Sequence, residues 1–336
     1  MPSSPTWRLE PLAGWHLPLL NDPAFLPLQP LLQRTALLDM PEQVLRLFGR
    51  TRPLGSRVLV AFADHSQTVL GLVVSRPLNR SGSCWQVQHL RTTRPELRHP
   101  LSSDLLQQAM ERTNTSSWVA AAASDDRVRL RVLREQGFQP LRQDQSWHWQ
   151  PEAQAPAAVL GELQVQPLNN RNAALVWHLE QALCAAQLRQ IFDRRVEDLL
   201  DQSQGRGLVL VDPNRKVAVA AVRWLGEHPG GGHDVELSVQ PGWEHLYAPS
   251  LLNLLHRFAA QLPDGGGLWL RSDPYDSGRL AWFGAIGAHL RSERVLMARS
   301  LWRRQAAAVQ TSQRFETVLA QLRPRQRPVP TPALRR

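Results

Sequence analysis

Cysteine is scarce: Cys84 and Cys184 are the only two in 336 residues. With no C-x-x-C spacing they build neither a disulfide framework nor a zinc site, and a reducing, cytoplasmic setting is the simplest expectation. Lysine is scarcer still. Lys216 stands alone among 39 Lys and Arg residues, which reads as a compositional bias rather than selection for phosphate recognition. There are two tyrosines, Tyr247 and Tyr275, so phenolic acid chemistry is confined to those positions. Long apolar runs are missing too. Pro18, Asn21, Asp22 and Pro23 interrupt the early leucines, so neither a signal peptide nor a membrane span is expected. No Walker-type loop, no justified Ser-His-Asp spacing and no metal-ligand cluster among the eleven histidines can be found.

What is present is a chain long enough for two ordinary domains, 43% hydrophobic and regularly patterned. The net charge of +10 invites a nucleic-acid reading, but its location argues otherwise. From Arg303 onward there are eight arginines and one acid, Glu316, a net of +7, leaving +3 for the other 302 residues. The segment PRQRPVPTPALRR (324–336) cannot build a core and is expected to be a solvated, disordered tail. Recruitment of a partner protein or nonspecific nucleic-acid binding by this tail ranks behind solvation. The twelve tryptophans lack the interleaved basic residues of a single-strand platform, so they are expected to anchor packing.

The second half is laid out around residues 233–262. Val235, Leu237 and Val239 alternate with Asp234, Glu236 and Ser238, the period of a half-buried strand. Pro249 suits a first helical turn, and Leu251, Leu252, Leu254, Leu255, Phe258 and Leu262 form one apolar stripe. A strand feeding a helix gathers unpaired N–H groups and the positive end of the helix dipole in one place, which suits a phosphate. Next come LWLRS (268–272), a helix within 273–288 and the strand VLMARSLW (295–302). The first half repeats the series: WQVQHLRTT (85–93), SSDLLQQAM (102–110), SWVAAAA (117–123), DRVRLRVLREQGF (126–138) and QSWHW (145–149). Both halves open similarly, with WRLEPL (7–12) and GELQVQPL (161–168), two helical stretches, then a hairpin. In the first half the clearer of these helices is PEQVLRLF (41–48), and the hairpin is 57–63 with 68–75; in the second the strands are 206–211 and 216–224.

This series, with "REQGF" closing its last helix, resembles the fold of GNAT-type N-acyltransferases, present twice in tandem. The expected class is α/β, a mixed sheet flanked by helices in each half. The expected limits are 1–150 for the first domain, 151–160 for an Ala- and Pro-rich linker, 161–303 for the second domain and 304–336 for a helical then disordered basic tail. The resemblance implies an acyl-CoA-dependent N-acyltransferase with acetyl-CoA as co-substrate and an unidentified amine acceptor. The family's Gly-rich pyrophosphate loop is degenerate in both halves. The second offers Trp243, Glu244, His245, Leu246, Tyr247 and Ala248; the first offers Leu97, Arg98, His99, Pro100, Leu101 and Ser102, in which Pro100 has no N–H to give. The family's tyrosine acid is replaced by Leu133 in the first half and Phe283 in the second.

On this resemblance the second half is the expected active one. Asp234 and Glu236 are its candidate catalytic carboxylates, although a solvated polar strand face explains them as well. Val239, Gln240, Trp243, His245, Tyr247, Ala248, Ser250, Asp276 and Phe283 are its candidate cofactor contacts. Asp126 and Asp276 also suit helix N-caps, and His89 is the comparable group of the first half. The rival reading is a catalytically inactive binding module that has kept the fold. For the tail, deleting 324–336 is expected to leave the melting temperature nearly unchanged in a thermal scan, because no core is lost; a fall of several degrees would mean that it is docked.

Overall fold

In the first half, strand β1 (Trp7–Pro11) is followed by two 3-10 turns (Gly14–Leu19 and Leu26–Leu28) and helix α1, described over residues 29–37. Then come β2 (Arg57–Ala63), β3 (Val69–Pro77), β4 (Cys84–Thr92), α2 (Arg98–Glu111), β5 (Ser117–Ala123), α3 (Arg127–Glu135) and β6 (Gln139–Trp149). The second half runs β7 (Gln164–Pro167), α4 (Ala173–Leu183), α5 (Ala186–Phe192), α6 (Val196–Ser203), β8 (Gly207–Asp212), β9 (Val217–Glu227), β10 (His233–Val239), α7 (Pro249–Ala259), β11 (Leu268–Ser272), α8 (Ser277–Ala285) and β12 (His289–Ser300). This computed structural model describes residues 7–37, 55–113, 115–152, 162–247, 249–263 and 267–300. The helix expected at 41–48 and the whole tail lie outside the described residues.

The order of elements repeats, yet the two halves share one sheet, ordered β1-β2-β3-β4-β5-β12-β6-β11-β10-β9-β8-β7. At its centre the last strands have changed places. β5 of the first half pairs with β12, from Arg294 opposite Ala123 to Ser300 opposite Ser117. β11 of the second half pairs with β6, from Leu268 opposite Trp149 to Ser272 opposite Gln145. β6 and β12 also pair with each other along almost their whole length. Their first halves were not legible as strand because they are polar and largely exposed, and inter-strand hydrogen bonding rather than alternation makes them strand.

The exchange carries side chains across. Trp149 of β6 is 1% exposed in the second half's core, among residues of β8–β11 and Phe258 of α7, and its Nε1 donates to the Ile286 carbonyl at 3.0 Å. Met297 of β12 lies fully buried in the first half's core with Trp85, Leu105 and Trp118. α2 and α3 cover one face of the first half's strands, while α7 and α8 cover the matching face of the second. α4 and α6 close the opposite face with Leu168, Val209, Val211 and Ala221. Where the sequence suggests two helices before β8, three form, the second and third ending at the left-handed residues Asp193 and Gln204.

Six strands separate β3 from β9 in the sheet order, which in a flat sheet would put them about 34 Å apart. Instead Arg76 Nη1 donates to the Leu225 carbonyl of β9 at 3.5 Å, so the sheet curls and its α4–α6 face is concave. Leu225 is the extra residue of a bulge, where pairing slips between Asp234 opposite Gly226 and Val235 opposite Trp224. A bulged residue has a carbonyl to spare and bends its strand. Further bonds hold the curl. Asn79 Nδ2 donates to the Phe192 carbonyl at 2.9 Å, the Arg80 amide to Asp198 Oδ1 at 2.6 Å, and Gln202 Nε2 to the Leu78 carbonyl at 2.5 Å.

The exchange sets a test. Trp149→Ala is expected to cost about 3–5 kcal/mol and Met297→Ala about 2–5 kcal/mol, each read from urea denaturation as one cooperative transition of the whole protein. Two separate transitions, or a loss below about 1 kcal/mol, would contradict shared cores.

Candidate functional site

Among the described residues every strand pair is antiparallel except two, β4 with β5 and β10 with β11. These two are parallel for only a short distance. β4 and β5 stay in register from Cys84 opposite Ser117 to Val87 opposite Ala120, then part. β10 and β11 are paired at His233 with Leu268 and at Asp234 with Trp269, then part. Each half thus contains a fork whose inner edges carry backbone N–H and C=O groups not paired across it, and such groups bind an amide-containing chain readily. A bulge accompanies each fork, at Gln88 in the first half, where pairing slips from Val74 opposite His89 to Ser75 opposite Val87, and at Leu225 in the second.

Beyond the second fork lies the loop before α7. Pro249 does open α7, as its position suggests. The loop itself winds into a 3-10 turn, Glu244–Tyr247, and several of its amides are engaged: Gln240 with the Val219 carbonyl, Trp243 with that of Gln240 and Leu246 with that of Trp243. The Gly242 amide donates to Glu244 Oε1 at 3.0 Å, and this bond, with a second from the Glu244 amide, holds that carboxyl below its usual range. Glu244 therefore supplies the loop with its own anion. Trp243 packs with the exposed His245 and under the Arg215 guanidinium; Tyr247 stacks on Trp282, and its hydroxyl accepts from Arg279 Nε at 3.3 Å. Ser250 is buried, and Ala248 lies outside the described residues. Asp276 caps α8 by accepting from the Arg279 amide at 3.0 Å, as Asp126 caps α3.

Val239 and Phe283 are core residues, Phe283 fully buried with its ring 5.7 Å from that of Trp147 on the exchanged β6. Leu133 is equally buried. Neither position can supply a proton. Tyr275, 88% exposed, stands away from both cores.

Asp234 and Glu236 share the concave face of β10, and that face is not a plain solvated surface. Asp234, the last residue paired at the fork, has Arg271 Nη2 3.6 Å from its Oδ1. Glu236 lies opposite Arg223 in the β9–β10 register. Burial raises its pKa, but Arg223, Arg271, Arg142 and Arg194 together outweigh that and hold the carboxyl below its ordinary value. Glu236 is thus an ionised, weakly basic group. Arg223 makes a two-pronged bond to Glu180 of α4, one arm at 2.9 Å, and Arg142 pairs with Asp144 at 2.7 Å. These arginines escaped the sequence reading. Their signal is an arginine inside an apolar strand, as in VAVAAVRW, which marks an inward-facing charge.

At the first fork, His89 occupies the matching place, within the fields of Arg91, Arg129, Asp234 and Arg76. Burial first, then Arg91 and Arg129, push its imidazole down to about 4, so it is neutral near pH 7. The basic residues of the adjoining loop are engaged, Arg98 with Asp126 at 2.6 Å and His99 with Glu135 at 2.9 Å. Because His89 titrates lower in the folded chain than in the unfolded one, its stabilising contribution is complete above about pH 6.5 and lost as pH falls through about 4. His16, His228 and His256 shift in the same direction. His89→Gln is expected to flatten, without abolishing, the fall of the urea midpoint between pH 7 and pH 4; an unchanged slope would show that His89 is not desolvated.

Among solved structures the chain is similar to a tandem GNAT protein from the clavulanic acid biosynthesis pathway, solved without AcCoA (TM-score 0.53, 13% identity, covering 88% of this chain and 99% of that one). It is similar as well to a putative acetyltransferase from Pyrococcus horikoshii (TM-score 0.54, 8% identity, 88% and 89% covered) and to a Drosophila protein (TM-score 0.54, 14% identity, 87% and 99% covered). No protein-family profile matches the chain. No curated protein matches it either. Identities this low speak for architecture alone. The protein has the mixed α/β fold of tandem GNAT acetyltransferases.

Proposed function

We propose that the chain is an acyl-CoA-dependent N-acyltransferase that transfers an acetyl group from acetyl-CoA to an amine. The observation that supports this most is the pair of forks. A parallel strand pair that parts after two to four registers offers a slot in which the amides of a pantetheine arm replace the missing ladder bonds.

In the second half the slot lies between Val235–Val239 and Leu270–Ser272, with the pyrophosphate toward the loop before α7 and the dipole of that helix. Gln240, Trp243, His245, Tyr247, Ala248 and Ser250 would border it, Val239 would lie along the pantetheine arm at its loop end, and Phe283 would wall the acyl end. Asp234, at the fork and on the concave face, accepts the proton that the attacking amine loses. The acceptor's ammonium first gives one proton to water, and the resulting neutral amine donates a hydrogen bond to Glu236, which its arginines keep ionised. As the new C–N bond forms the C–S bond breaks, and the thiolate leaves without a tyrosine. A thiol of pKa about 8.5 does this tolerably in water.

One observation favours a second reading, a non-catalytic binding module: Glu244 places a carboxylate on the amides that a pyrophosphate would use. Calorimetric titration with acetyl-CoA separates the two. Saturable binding is expected, tightened by Glu244→Gln and abolished by Ala248→Glu. Asp234→Asn is expected to lower kcat by about 10²–10⁴-fold while leaving acetyl-CoA affinity unchanged. No binding to wild type or to Glu244→Gln would leave the module reading in its place.

A further inference from the structure

The concave face holds more positive charge than its ion pairs use. Six arginines converge there: Arg76 of β3, Arg142 of β6, Arg194 after α5, Arg223 of β9, Arg271 of β11 and Arg294 of β12. Among the described residues, four carboxylates answer them. Glu180 serves both Arg223 and Arg194, the latter at 3.7 Å; Asp144 serves Arg142, Asp234 serves Arg271, and Glu236 lies among Arg223, Arg271, Arg142 and Arg194. Among the described residues, Arg76 bonds only neutral acceptors, Gln86 Oε1 at 3.3 Å and the Leu225 carbonyl at 3.5 Å. The Nε atoms of Arg194 and Arg271 are buried and bond nothing among the described residues.

Burial opposes the charges of Arg142 and Arg223, yet their carboxylate partners Asp144, Glu180 and Glu236 outweigh it and raise both. Arg76 is pushed down to about 10, mainly by burial and then by Arg271, Arg194 and Arg223, against the pull of Asp234. Burial and then Arg271 lower Arg294 against Asp234 and Asp144, and burial and then Arg223 lower Arg194 against Glu180 and Glu236. A buried positive excess is costly unless an anion completes it. Access exists. A cleft of about 490 Å³ reaches Arg76 alone of the six; Arg34, Ser56, Asn79 and Gln202 border it too, with Asp198, which accepts from the Arg80 amide, and Asp201, which is paired with Arg80.

We propose that this interior is an oxyanion-binding site, and that the amine accepted by the transferase therefore also carries a carboxylate or phosphate, gripped by Arg76 with Arg194, Arg271 and Arg294. This rests on the transferase reading. Guanidinium groups match both oxyanions through paired N–H donors, so the chemistry names the class and leaves the two members to experiment. His89 and Asp234, one at each fork, lie in one another's electrostatic neighbourhood.

The test is calorimetry and thermal shift on the full chain, with citrate and inorganic tripolyphosphate as probes and sodium chloride at matched ionic strength as control. At least one probe is expected to bind saturably and raise the melting temperature; whichever binds more tightly identifies the oxyanion. Arg76→Met should weaken it at least tenfold while the variant stays folded, with at most a small drop in melting temperature from the lost bond to the Leu225 carbonyl. Arg80→Gln, at an exposed ion pair with Asp201, should change neither. Absence of probe binding or undiminished binding in Arg76→Met would overturn the proposal. Acetyl-CoA titrated in parallel keeps the two ideas apart. Acetyl-CoA binding retained by Arg76→Met with no oxyanion binding to wild type sinks the acceptor class alone, whereas oxyanion binding without acetyl-CoA binding sinks the transferase reading and leaves the anion site.

Discussion

The exchange of β6 and β12 is the constraint on which the rest of this structure depends. Each half completes its own apolar core with a strand from the other, Trp149 in one direction and Met297 in the other. Backbone pairing reinforces this, because β5 and β11 would be sheet edges without β12 and β6. One consequence is a single twelve-stranded sheet. A second is its curl, which brings β3 to β9 and turns the polar faces of both halves toward one interior.

That interior reverses the usual economy of a sheet. The faces under α2, α3, α7 and α8 are apolar and closed, whereas the face between α1 and α4–α6 gathers arginines and carboxylates from six strands and loops. Buried charges seldom improve stability over apolar residues of similar size. Their concentration beside two strand forks is better explained by what they bind and position than by what they stabilise. The same surroundings divide the labour of the two carboxylates, leaving Asp234 at the fork with one arginine at 3.6 Å and surrounding Glu236 with four.

The sequence shows local order well. The stripe of α7, the alternation of β10, the hairpins and the repeated series were all readable, because each is written in neighbouring residues. The partners of the last strands were not, since QSWHW and VLMARSLW suit either half equally and only the geometry of the assembled sheet decides between β5 and β11. The candidate site was partly readable. Asp234 and Glu236 could be placed on one strand face, and the capping roles of Asp126 and Asp276 followed from residue type. Arg76, Arg142, Arg271 and Arg294 could not be joined to them, because they meet across strands distant in the chain, and a strong arginine bias hid the few that point inward. Glu244 could be placed in the degenerate loop from the sequence, and the structure adds what it does there: its carboxylate accepts from the loop's own amides.

The most direct measurement is to introduce a protease site within residues 153–161, cut the native protein there, and follow both fragments by size-exclusion chromatography and thermal unfolding without denaturant. Exchange of β6 and β12 requires that the cut fragments elute together at the size of the intact chain and melt in one transition, since neither has a complete core alone. Fragments that separate into two folded species, each with its own melting transition, would contradict the shared sheet and with it the common interior.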